Sequence, residues 1–153
     1  MSIPEKLINF LKKHHVFYEV VAHPQRFTSL ELAEAEHVSG KEFAKVVMIK
    51  AKNENVMTVL PATSTVDFLK LSTVLGTQAV SLEKEADFMS LFPDCELGAM
   101  PPFGNLYKVK CFVDKSLKEV GWIHFNAGSH TESIRMLIHD FFRVVKAEVA
   151  DFK

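Results

Sequence analysis

Cysteine is scarce. The 153 residues hold two, Cys95 and Cys111, in different contexts and without a C-x-x-C partner, which excludes a disulfide scaffold and a zinc ribbon and suits a reducing compartment. Long apolar runs are missing as well: no segment approaches the ~18 apolar residues of a membrane span. The opening MSIPEKLINFLKKHH mixes charged and apolar side chains where a secretory leader would separate them. A cytoplasmic protein with no membrane partner is expected. Charge of one sign is also lacking, since eighteen basic and nineteen acidic side chains leave a formal net charge of -1. No chain-wide positive field can coat duplex DNA, although a grip on a few phosphates stays open. Six glycines and six prolines are too few for a repeat or a low-complexity linker. Apolar residues are plentiful at 48%, enough for a packed core, and at roughly 100 to 200 residues per domain the length argues for one domain over 1–153.

Ser2 and Glu5 form an S-x-x-E capping box with Pro4 in the first turn, and Ile3, Leu7, Phe10 and Leu11 recur at helical spacing, predicting a helix up to Lys13. The β-branched and aromatic run 16–21 predicts a strand that ends near His23-Pro24. Thr28 and Glu31 form a second capping box, opening a short helix that Gly40 can close. Runs 43–51 and 55–60 flank a polar turn and should pair as a hairpin. Ser64 is positioned to cap a helix that stops at Gly76. A brief strand at Ala79-Val80 precedes a helix over 82–91, which Pro93 ends. Between 93 and 106 periodicity disappears and Gly98, Pro101, Pro102 and Gly104 punctuate a long loop. Strands follow at 106–113, 121–125 and 133–138, then a closing helix from Asp140 through Val149. The mixture of hairpins and helices indicates a mixed α/β sheet instead of a regular βαβ array.

Three segments could carry chemistry. In FAKVVMIK, strand alternation places Lys45 on one side with Phe43, Val47 and Ile49. Such a lysine either lines a wet cleft, where partial burial tunes its ammonium, or runs its stem along the sheet and reaches water. The loop FPDCELGAMPPFG joins stiff and small residues, so it is either a pocket rim or a structural loop with Asp94 and Glu96 solvated. In NAGSH, consecutive N–H groups, a hydroxyl and an imidazole follow a strand. They could hold an oxygen that turns negative during acyl transfer, or make a simple turn with a surface histidine. Cys95 lacks a nucleophile signature and reads as a small buried hydrophobe. No pair of histidines has metal-ligand spacing, so no metal is expected.

Together, Lys45 in FAKVVMIK, the FPDCELGAMPPFG loop and NAGSHTESIR resemble the YbaK-like aminoacyl-tRNA deacylases, the prolyl-tRNA synthetase associated editing domains. The likeness runs from His23-Pro24 through LPA at 60–62 to the final helix. It implies a compact α/β fold built on a curved mixed β-sheet flanked by helices, without metal or organic cofactor. It also implies hydrolysis of the ester that joins a wrong, small amino acid to tRNA, most simply tRNA for proline. Lys45, Gly128, Ser129 and His130 match the family's functional positions. Gly98, Pro101, Pro102, Phe103 and Gly104 match its G-x-x-P-P-F-G wall and, with Thr28, form the substrate-binding set. The family lysine is often followed by Thr or Asn; Val46 stands here, which bears on substrate identity. No synthetase body is attached, so the resemblance is to freestanding members that meet the acceptor end of aminoacyl-tRNA and sometimes a synthetase. A noncatalytic module that binds aminoacyl ends, and a Cys95-dependent hydrolase, are the competing readings.

Overall fold

A computed structural model describes residues 2–25 and 28–153. The chain opens with α1 (Glu5–Lys13), which buries Leu7 and Leu11 and carries Glu5 in its first turn and Lys12 and Lys13 in its last, matching the helix dipole at both ends. The expected Ser2 capping box does not form: Pro4 occupies the N-cap position and makes no side-chain cap bond. Next come β1 (Tyr18–Ala22) and α2 (Ser29–Ala35). Here the sequence signal holds, because the Thr28 hydroxyl accepts the Glu31 N–H at 3.0 Å.

Strands β2 (Ala44–Ala51) and β3 (Glu54–Pro61) form the expected hairpin, closed by the pair Ala51 and Glu54. Lys52 and Asn53 between them have φ of 48° and 68°, the twist a two-residue turn needs to match its strands. Helix α3 (Phe68–Leu75) starts later than Ser64 because Asp67 supplies the cap, accepting the N–H groups of Leu69 and Lys70. The predicted helix over 82–91 is instead three pieces: β4 (Val80–Leu82), α4 (Glu85–Phe88) and a 3-10 turn at Met89–Leu91. After the long loop come β5 (Lys110–Asp114), β6 (Trp122–Asn126), β7 (Glu132–Leu137) and α5 (Ile138–Val144). That last helix ends early. Residues 148–150, expected as its tail, form β8 (Glu148–Ala150) and pair in parallel with β5.

The architecture is α/β with a mixed sheet. Five strands run in the order β4-β2-β3-β5-β8, and a three-stranded antiparallel sheet, β1-β7-β6, stands beside them. A single parallel bridge between Phe43 and His124 joins the two, reinforced by the His124 N–H donating to the Glu42 carbonyl at 2.9 Å. Side-chain alternation splits the interior. Ala44 and Met48 of β2 enter the main core with Ile123, Phe125, Ile134 and Met136 of the small sheet and with α1 and α5. Ile49 and Ala51 enter a second cluster under α3, with Leu60, Leu71 and Phe112. Phe43 meets α2 through Leu32 and Ala33 in a third. No helix among the described residues is long and apolar enough to cross a membrane.

Candidate active site

Lys45 lies two residues beyond Phe43, and Asn126 lies two beyond His124, so both strands leave their parallel bridge in the same direction. The geometry carries the lysine and the 127–131 loop away from one junction. Lys45 pairs across the hairpin with Leu60 and falls on the side of Val47, as alternation predicts. It is half-buried, and loss of hydration pulls its pKa below the ordinary lysine value. Its ammonium has no hydrogen bond or ion pair among the described residues. A cation held without a partner is available to a ligand.

The loop that follows β6 is knitted to the residues before the Pro-Pro-Phe segment. Gly128 N–H donates to the Ala99 carbonyl at 2.8 Å, and Glu96 N–H donates to the Gly128 carbonyl at 2.9 Å. Glu96 then turns its carboxylate to accept the His130 N–H at 3.1 Å. The His130 ring closes the stitch through Nε2, 2.7 Å from the Leu97 carbonyl; a carbonyl only accepts, so Nε2 carries the hydrogen. Gly98 and Gly128 both have φ of +84°, a region side chains rarely tolerate. A Cβ at Gly128 would also sit 2.5 Å from the Pro4 ring at the start of α1.

These bonds sort the amides of the loop. Gly128 and His130 have spent theirs on Ala99 and Glu96, and Thr131 N–H donates to the Ser129 hydroxyl. Ser129 N–H is left without an acceptor among the described residues. Of the N–H groups that the sequence offered at 128–130, two are therefore committed within the protein. The Ser129 hydroxyl is no substrate contact either: the residue is 0% exposed and its oxygen lies 3.0 Å from that of Thr131.

The wall residues divide. Pro101 and Pro102 are buried beside the stitched loop. Phe103, expected to touch substrate, is fully buried, with ring centroids 5.5 Å from Phe125 and Phe141. Gly104 is a glycine for packing, since a Cβ there would come within 2.5 Å of the Val109 carbonyl. Both belong to the core, not to a rim. Thr28 is exposed and commits its hydroxyl to capping α2. Cys95 is held by the Tyr107 hydroxyl at 3.2 Å, and burial pushes its thiol up to about 12, so it is no nucleophile near neutral pH. A cavity of about 260 Å³ opens beside it, with walls drawn from residues 88–100, Phe92 and Leu97 among them. Glu96, solvated on one of the two sequence readings, instead ties this loop to 127–131. Its only sequence signal is a carboxylate two residues before Gly98.

The family model for the aminoacyl-tRNA editing domain matches residues 23–144. The chain belongs to the aminoacyl-tRNA editing domain family. Within curated proteins it is 28% identical to an Escherichia coli K12 protein named multifunctional Ser/Thr-tRNA deacylase ProXp-y, across 97% of this chain and 92% of that one. Among solved structures, a candidate trans-editing enzyme for prolyl tRNA synthetase superposes with a TM-score of 0.83 at 18% identity, over 99% of both chains. A scaffold used for epitope backbone grafting gives 0.82 at 19%, over 97% and 94%. These superpositions show that the editing-domain fold extends over nearly the whole chain.

Proposed function

We propose that this editing domain is a deacylase acting in trans: it hydrolyses the ester of a small, mischarged amino acid on tRNA, with tRNA for proline as the acceptor. Water adds to the ester carbonyl, directly or after the neighbouring ribose hydroxyl has taken over the acyl group; the bond from that carbon to the ribose oxygen then breaks, a proton of the water passes to that oxygen, and the amino acid leaves as its free acid. Negative charge grows on the carbonyl oxygen as the attack proceeds, and a fixed N–H dipole aimed there lowers the barrier. The 127–131 loop, which leaves the same junction as Lys45, would supply that dipole. The match of the aminoacyl-tRNA editing domain over residues 23–144, with a half-buried Lys45 that has no partner among the described residues, is the observation that carries the reading.

Lys45 holds the terminal phosphate or the ester carbonyl and so fixes the reacting bond. His130 orients the loop, with its ring bonded to Leu97 and its amide to Glu96. Neither Lys45 nor Cys95 forms a covalent intermediate. Editing needs such a second pocket, because a synthetase separates side chains that differ by one methylene by only ~1 to 3 kcal/mol. Delivery of the substrate by an aminoacyl-tRNA synthetase belongs to the same reading, and cosedimentation of the two proteins tests it.

The deciding experiment follows ester loss from tRNAs charged with alanine, cysteine, serine, threonine or proline, with wild type and Lys45→Ala side by side. At least one ester should be cleared by wild type and persist with the variant. Wild-type curves that superimpose on buffer for every ester would overturn the reading, and tight binding without release would mark a noncatalytic module.

A further inference from the structure

Beneath α2 lies a group of buried polar side chains that the reaction above does not use. The Glu36 carboxylate accepts the Ser133 hydroxyl at 2.5 Å. His23 Nε2 stands 3.7 Å from one of its oxygens and His124 Nδ1 3.6 Å from the other, and the three side chains are only 2 to 5% exposed. Both separations exceed a hydrogen bond, and His23 Nε2, His124 Nδ1 and Glu36 Oε1 have no hydrogen-bond partner among the described residues. His23 is oriented from its other side, where Nδ1 meets the Pro24 carbonyl at 2.9 Å; His124 is oriented by stacking on Phe43, 6.3 Å between centroids. No Lys or Arg among the described residues pairs with Glu36, and the two rings are the ionisable groups beside its two oxygens.

Such a cluster is a poor way to gain stability, because a buried ionic group is commonly matched or bettered by apolar side chains of similar volume. Its topology gives it another use. Loop 127–131 leaves β6 just after His124 and enters β7 just before Ser133. The His23 N–H, just past β1, donates to the Thr131 carbonyl at 3.0 Å, and α2 ends at Glu36. The end of β1, the end of α2 and both flanks of the 127–131 loop thus meet at one carboxylate.

We propose that Glu36 is a positioning residue for deacylation: from the end of α2 it clasps His23 and both ends of the 127–131 loop, and so sets where that loop lies. This rests on the deacylase reading for its kinetic test and on geometry alone for its second test. Glu36→Ala should lower kcat roughly tenfold to a hundredfold, the scale of a misplacement near 1 Å, with KM within twofold of wild type. Glu36→Gln should recover most of kcat, because its oxygen still accepts from Ser133 and its amide donates to an unpaired ring nitrogen. Independently of activity, backbone hydrogen exchange at 129–131 should quicken at least tenfold in Glu36→Ala while exchange in α3 is unchanged. Wild-type kcat in Glu36→Ala, a loss confined to KM, failure of Glu36→Gln to rescue, or unaltered exchange at 129–131 would each overturn the proposal. Inactive wild type with quickened exchange in Glu36→Ala would sink the deacylase reading and leave the clasp standing.

Discussion

At the residue scale the site turns on a lysine that the fold does not compensate. Lys45 is partly dehydrated without a partner, so its charged form is disfavoured in the folded protein and its pKa lies below 10.5. The sign follows directly. The penalty on folding is present while the unfolded chain keeps its proton, and it disappears as the pH rises toward the ordinary lysine value. Lys45→Met should therefore unfold at the wild-type temperature or above it while ester hydrolysis is lost, a separation that thermal melts and a deacylation assay read together. Binding of a nonhydrolysable aminoacyl-adenosine should weaken as the pH climbs, beginning below 10.5; affinity that holds steady through that range would remove Lys45 from the contact. Cys95 gives the opposite pattern. Its thiol is raised to about 12 by burial and bonded to Tyr107. Cys95→Ala should leave kcat within about twofold and cost on the order of 1–3 kcal/mol, because the Tyr107 hydroxyl loses its partner.

At the element scale the start of α1 and the 127–131 loop depend on each other. Gly128 is held at φ +84° with the Pro4 ring where a side chain would begin, so Gly128→Ala meets both backbone strain and a collision. A loss of about 1–3 kcal/mol is expected from the strain alone. Pro4→Gly added to Gly128→Ala should restore part of the melting temperature by clearing the collision, while leaving the strain; no recovery would mean the contact is incidental. Elements of this kind were only partly legible in the chain. The Thr28 cap, the Lys52-Asn53 hairpin and the α3 stop at Gly76 are local signals, settled within four residues. Strand β8 is not local, because its pairing with β5 lies more than thirty residues away. The site divides the same way: Lys45, Gly128 and His130 stood out as residues, but which amide stays open depends on Glu96 and Ala99 reaching across from another loop. Phe103 misled because an aromatic beside two prolines reads alike whether it lines a rim or fills a core.

At the scale of the whole molecule, the division into two sheets joined by one bridge explains how a nearly neutral chain can act on a large polyanion. The bridge at Phe43 and His124 starts the strands that lead to Lys45 and to the 127–131 loop from a common point, and the proposed reading confines the substrate to that junction. On that reading the junction meets the acceptor end and little else of the tRNA. Each phosphate contacted contributes about 0.7 to 0.9 to the slope of log affinity against log salt. With a formal net charge of -1 no diffuse field adds to it, so a slope of about -1.4 to -2.7 is expected, the sum of two or three such contacts. A minihelix carrying only the acceptor stem should bind as well as full-length tRNA, with the same slope. A slope several times steeper for the full-length molecule would show that binding spreads over the tRNA body, and the confinement of the substrate to this junction would be wrong.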